Sequence, residues 1–355
     1  MSAASDATPI NQYEYDRADA PDDALRLHLN EHTGGCSPAV ATAIAAVTRQ
    51  SIAKYPDYTA VTQAVANHVG VPPSQVLLTN GLDEGIFAVA IAQFRGGAFS
   101  EAVVLEPAFG MYADAVEAVG GRVVPVLPGP ELSLDRDAIA QAVTTRTGAL
   151  FVASPGNPSG VSLTTDEVLW LSSLLPPGAL LFLDEAYVEF GGTSFLPHLA
   201  AHPNVVIGRT FAKAYGLAGM RAGAVVADSA VAARLRRVVP PYSLNVFVVA
   251  ALAAALADTQ YMADYRRQVV ASRDRLYAAC DRWGLPYVRS DANFVLVRAG
   301  ERRTALLDGL QARNIYIRDR DRQPGCTGCV RITTGLLEHT DACIAAMEDI
   351  LCGKA

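Results

Sequence analysis

Short apolar runs alternate with longer segments of helical period between about residue 75 and residue 230 of the 355-residue chain. Runs without a polar face suit strands buried on both sides, so the pattern predicts a mostly parallel sheet flanked by helices, an α/β fold. The predicted strands are QVLLT (75–79), AVVLE (102–106), GALFVA (148–153), ALLFLDE (179–185), NVVIGRT (204–210) and AGAVVA (222–227). DEGIFAVAIAQF (83–94) and TDEVLWLSSLL (165–175) read as helices between them, the second opened by a threonine cap with acids in its first turn.

After about residue 255 the pattern changes to a long charged helix, DTQYMADYRRQVVASRDRLYAACDRWG, then strands NFVLVR (293–298) and VRIT (330–333) and a final helix. This predicts a smaller α+β domain over 256–355, a large domain over 41–255, and a segment 1–40 associated with the small domain. The apolar run VFVVAALAAALA (246–257) has about half of the roughly 20 residues that a membrane span needs, and reads as a buried helix.

Net charge is −7, and no basic run is longer than RLRR at 234–237. That balance argues against a nucleic-acid or anionic-membrane surface and favours a small-molecule partner. Residues 1–23 are polar and acidic, without the pattern of a secretory signal, which predicts a loose lead-in segment and a cytoplasmic protein. CTGC (326–329) has no second cysteine or histidine pair to complete four zinc ligands, so its thiols read as loop cysteines and no metal is expected.

In an open parallel sheet ligands bind beyond the carboxyl ends of the strands. There stand Asn157 in the turn SPGNPSG, Asp184 closing ALLFLD, and Lys213, one of only three lysines in the chain, in RTFAKAYGLAGMRAG. Asn157 also suits a plain turn, and Lys213 also suits a surface lysine with its stem laid along apolar neighbours. Asp184 is harder to treat as scaffold, because a carboxylate at the end of an apolar strand calls for a cation. Together they suit pyridoxal 5′-phosphate: a desolvated lysine condenses with its aldehyde, and its protonated ring nitrogen supplies that cation. Asn157 and Tyr187, in DEAYVEF, suit the ring hydroxyl. For the phosphate, TNGLDEGIF (79–87) opens a helix after a strand, although Gly81 also suits an ordinary turn; Thr210 and Arg221 can complete an anion cradle.

These motifs resemble the fold-type I, pyridoxal-phosphate-dependent aminotransferases and, among them, the histidinol-phosphate aminotransferases. The likeness runs from LHLNEHTGGCSP (27–38) through KYPDY (54–58), NGLDEGI (80–86), EPAFGMY (106–112), SPGNPSG, DEAYVEF, RTFAKAYGLAGMRAG and SDANFVLVR (290–298) to VRITTG (330–335). It implies an aspartate aminotransferase-like fold with a seven-stranded sheet, and a homodimer that exchanges an amino group between an amino donor and an oxo acceptor. By position it makes Lys213 the lysine bonded to the cofactor and its proton carrier, and Asp184 the partner of the ring nitrogen. Asn157 and Tyr187 fall at the ring hydroxyl and Phe109 on the ring face, where relatives commonly have tyrosine. Gly81, Leu82, Asp83, Thr210 and Arg221 fall at the phosphate, which Tyr55 reaches from the neighbouring subunit. Arg331 matches the arginine that binds a substrate anion, and Asn30, His32, Tyr112 and Tyr242 are further pocket candidates. Ala212 replaces the usual serine, and the segment after Arg331 lacks an additional arginine found in some histidinol-phosphate enzymes. A threonine-phosphate-type decarboxylase and a non-catalytic pyridoxal-phosphate-binding module are the alternatives.

Overall fold

A computed structural model describes residues 20–353, so most of the expected lead-in segment lies outside the described residues. The strands are β1 (Leu25–Leu27), β2 (Val76–Asn80), β3 (Glu101–Leu105), β4 (Arg122–Val126), β5 (Thr147–Ala153), β6 (Leu180–Asp184), β7 (Val205–Thr210) and β8 (Ala222–Ala227), followed by β9 (Tyr287–Val288), β10 (Phe294–Arg298), β11 (Ile315–Asp319) and β12 (Cys329–Thr333). They form a seven-stranded sheet in the order β2-β8-β7-β6-β5-β3-β4 and a five-stranded sheet in the order β1-β11-β12-β10-β9.

In the large sheet only β8 runs against its neighbours β2 and β7; the other pairings are parallel. Apolar side chains cover both faces: Ile86, Val89, Phe151 and Phe182 belong to one core, Val103, Leu150, Leu181 and Ile207 to the other. All six predicted strands of this sheet are present, shifted by at most a residue or two. AVVLE moves back to Glu101, whose carboxylate, 3% exposed, is held by Arg122 and Arg146 and so tolerates the strand interior.

The seventh strand, β4, was not predicted. Its sequence RVVPV carries a proline, which removes a ladder donor and argues against a central strand; β4 sits at the sheet edge, where that loss is tolerated. The second sheet packs over a core of Leu276, Val295, Val297, Leu306 and Met347. Its strands β1, β9 and β11 were also missed, being two to five residues long and only partly buried. β1 pairs in parallel with β11, bringing the 25–27 segment into this sheet.

VFVVAALAAALA forms the helix Val246–Ala257, and the charged helix spans Thr259–Trp283. Among the described residues no single helix is long and apolar enough to cross a membrane. The Thr-capped helix spans Thr165–Ser173, with Thr164 rather than Thr165 in the cap and a reciprocal bond from Glu167. Cys326 lies in the loop before β12 as expected, whereas Cys329 opens that strand, and both are fully buried.

Candidate active site

β6 and β7 are adjacent and parallel, so Asp184 at the end of one and the Thr210–Lys213 segment after the other share one rim. Asn157 follows β5, the next strand over. Because β8 runs the other way, its approach, Arg221, lies on that same rim beside Gly81 at the end of β2. Sheet topology alone therefore gathers residues separated by more than a hundred positions in sequence.

Lys213 Nζ donates to the carbonyl of Leu29 at 2.9 Å. Burial first, then the positive charges of Arg331 and Arg221, bring its ammonium down to about 8 against the opposing pull of Glu31 and Asp83. At pH 7 about a tenth of such an amine is unprotonated and nucleophilic, far more than for an ordinary lysine.

Asp184 is buried, and that burial pushes its carboxyl up to about 6. Its Oδ2 accepts from the Tyr112 hydroxyl at 2.6 Å and its Oδ1 from the Ala186 N–H at 2.9 Å. Both donors are neutral, so they steady the oxygens without cancelling the charge. Tyr112 is 1% exposed and stacked on Phe151 with 5.4 Å between centroids; it stands behind Asp184 and borders a cavity of about 230 Å³ that Asn157 also lines.

Tyr187 is buried edge-on to Phe294, and its oxygen accepts from Asn30 Nδ2 at 3.0 Å. Asn30 is locked: its N–H and its Oδ1 both engage Thr333 Oγ1, and its carbonyl accepts from Asn293. Arg331, 2% exposed, donates through Nη1 to Asn157 Oδ1 and through Nη2 to the His28 carbonyl at 2.7 Å, with its guanidinium 5.1 Å from the Phe294 ring centre. Asn157 is thereby oriented with its amide nitrogen left to donate elsewhere.

A residue missed in the sequence stands here. Arg318 on β11 is the direct cross-strand partner of Arg331 on β12, which places both on one face of the small sheet. Its signal was the alternation in NIYIRD, which puts Arg318 on the opposite face from the buried Ile315 and Ile317.

At the other end of the rim, Arg221 Nη2 pairs with Asp83 Oδ2 at 2.7 Å. Gly81 does not offer its N–H to a ligand: that group donates to the Arg221 carbonyl at 2.6 Å. Its contribution is the missing side chain, because a Cβ at its φ of +75° would lie 2.5 Å from Arg221 Nη2. Gly223 serves similarly, since a Cβ there would lie 2.5 Å from the carbonyl carbon of Gly81. The free donors at this helix start come from Leu82 and the residues after it, with the Thr210 hydroxyl, which accepts from Ala212 N–H and keeps its own proton to give. Phe109 meets Tyr112 edge-on at 5.8 Å.

Three candidates lie outside this cluster. The His32 ring is stacked on Tyr265 and Tyr261, takes the Gly34 N–H on Nδ1, and is held down to about 4 by burial; it borders a cleft of about 490 Å³ with Arg26 and Glu31. Tyr55 and Tyr242 stack on each other at 4.2 Å and are 78% and 55% exposed.

An amine of lowered basicity, a buried carboxylate, an oriented amide and phenol, and an anion cradle built around the space a Cβ would fill are the groups that pyridoxal 5′-phosphate requires. Residues 22–346 match the family model described as aminotransferase class I and II. The chain is 35% identical over 336 residues to histidinol-phosphate aminotransferase 2 of Ralstonia nicotianae, covering 92% of this chain and 88% of the relative. It is 35% identical over 338 residues to the histidinol-phosphate aminotransferase of Roseiflexus castenholzii, covering 92% and 89%. The crystal structure of histidinol-phosphate aminotransferase from Sinorhizobium meliloti in complex with pyridoxal 5′-phosphate superimposes with a TM-score of 0.83 at 29% identity, covering 94% of this chain and 92% of that one. The chain therefore belongs to the class I and II aminotransferases, enzymes that use pyridoxal 5′-phosphate to exchange an amino group between amino and oxo substrates.

Proposed function

We propose that this enzyme transaminates a substrate that carries a phosphate, histidinol phosphate being the one named for its relatives. The observation that carries the reading is the direct opposition of Arg318 and Arg331 on one face of the small sheet, beside Asn157. Residues directly opposite across a strand pair project from the same face, and a phosphate dianion suits a pair of guanidinium groups so placed.

In this reading Asp184 holds the cofactor ring nitrogen, Asn157 and Tyr187 the ring hydroxyl, and Phe109 a ring face. The phosphate of the cofactor rests on the Leu82 and Asp83 N–H groups, Thr210 and Arg221. The bound cofactor supplies an electrophilic carbon and a ring that accepts electrons. Lys213 would hold the cofactor through its neutral amine, and the same Nζ, when free, would be the group that accepts and returns a proton. Arg331 orients both the substrate anion and Asn157, so an ill-placed substrate also disturbs the ring hydroxyl contact. The site lies between a large domain over 41–255 and a small one over 256–355. The exposed Tyr55–Tyr242 stack, with Ile52 57% exposed, supports a dimer in which Tyr55 crosses to the neighbouring site.

Steady-state kinetics with 2-oxoglutarate as acceptor test the substrate class. Histidinol phosphate is expected to exceed histidinol in kcat/KM by about ten- to a hundredfold, the worth of one charge-assisted contact, and Arg318→Gln is expected to remove most of that ratio. Equal use of the phosphorylated and unphosphorylated amines would overturn the proposal.

A further inference from the structure

The Tyr112 phenol donates its hydrogen to a buried carboxylate. Its ring is locked between Phe151, Phe182 and Phe109, and its single polar atom reaches inward to one oxygen of Asp184 at 2.6 Å. Packing alone would be satisfied by phenylalanine, since Tyr112 lies in an apolar core cluster that includes these rings. The hydroxyl adds a short bond from a neutral donor to a carboxylate that has no freedom left: the other oxygen is tied to the Ala186 N–H at 2.9 Å. The two bonds come from different elements, the helix Met111–Ala118 and the turn after β6, and fix the plane of the carboxylate.

We propose that Tyr112 is a positioning residue that keeps Asp184 ionised and sets the orientation in which it meets the ring nitrogen of pyridoxal 5′-phosphate. The inference rests on the assignment of Asp184 to that nitrogen. The titratable and charged groups facing Asp184 are Tyr112, Tyr187, the adjacent Glu185, and Asp83 from the helix Gly81–Phe94. Burial and the negative charges of Asp83 and Glu185 favour its protonated form; Tyr112 and the Ala186 N–H are what oppose them. A protonated Asp184 has no charge with which to hold a pyridinium, so losing the phenol moves the acid limit of cofactor binding toward neutrality.

The test is equilibrium binding of pyridoxal 5′-phosphate to the cofactor-free protein across pH, for the parent, Tyr112→Phe, Asp184→Asn and the double variant. Hydrogen bonds to a charged group correspond to roughly ten- to a hundredfold in equilibrium, so the acid limb of the binding curve in Tyr112→Phe is expected about one pH unit or more above that of the parent. The curves are expected to converge in the alkaline range. In the Asp184→Asn background the same substitution is expected to change nothing, because the phenol acts through that carboxylate. A Tyr112→Phe curve superimposed on the parent, or weakened equally at every pH, overturns the positioning role. So does an undiminished effect of Tyr112→Phe in the Asp184→Asn background. Binding unaltered by Asp184→Asn alone overturns the assignment of Asp184 itself, a separate failure. Tyr112→Leu, which also fills apolar space without a donor, gives the same reading if the phenylalanine variant does not fold.

Discussion

Gly81→Ala tests the phosphate cradle where its geometry is tightest. Gly81 adopts a φ of +75°, and a Cβ there would lie 2.5 Å from Arg221 Nη2 and 3.1 Å from its Cζ. A side chain in left-handed backbone costs about 1–2 kcal/mol of stability. The guanidinium must also retreat by roughly 1 Å to restore an ordinary contact distance, which takes its fork away from the anion site. The Arg221–Asp83 pair is 46% and 41% exposed, so breaking it adds little. What is lost in the holoenzyme is a charge-assisted bond to phosphate of about 1.5–3 kcal/mol, which raises the Kd for pyridoxal 5′-phosphate about ten- to a hundredfold. The assay is parallel titration of the cofactor-free protein with pyridoxal 5′-phosphate and with pyridoxal, which has no phosphate. The phosphorylated ligand alone is expected to weaken. An equal loss for both ligands, or no loss for either, would refute the cradle.

Arg209→Met leaves Glu185 and Glu189 buried without the guanidinium that bonds them at 2.8 and 2.7 Å, so unfolding free energy is expected to fall by about 3–5 kcal/mol in urea denaturation. Burial already holds the Glu189 carboxyl above its usual range, so protonation relieves the variant as pH falls; the deficit is expected to shrink in mildly acidic buffer, and a pH-independent deficit would contradict this. The Lys213 ammonium is brought down to about 8, so its neutral form accumulates as pH rises; the rate of covalent capture of pyridoxal 5′-phosphate is expected to climb and level off with a midpoint there, and a midpoint at an ordinary lysine value would contradict it. Sedimentation is expected to find a dimer that Tyr55→Ala weakens; a monomeric parent at micromolar concentration would exclude the crossing of Tyr55.

The strand-end residues were legible because fully apolar strands leave a functional side chain nowhere to be but at their ends: Asp184 and Lys213 read out of sequence as they stand in the fold. β4 was illegible because Pro125 reads as a strand breaker until its edge position is known. Arg318 was hidden by distance: nothing in sequence says that it faces Arg331 across a strand pair. The Gly81 motif was legible as a helix opening after a strand; what the sequence could not show is that the Gly81 N–H goes to the Arg221 carbonyl and that a Cβ there would meet the Arg221 guanidinium. Tyr112 and His32 each border a cavity as read, but the sequence could not show that their rings are also packed against other aromatic rings.

The chain has only three lysines, Lys54, Lys213 and Lys354, which makes one measurement decisive. Reduction of the holoenzyme with borohydride, followed by proteolysis and mass spectrometry, fixes the cofactor to whichever lysine carries it. The added mass of the reduced pyridoxyl phosphate is expected on the peptide containing Lys213 and to vanish in Lys213→Ala. The same mass on Lys54 or Lys354, or its persistence in Lys213→Ala, would contradict the assignment on which the site is built.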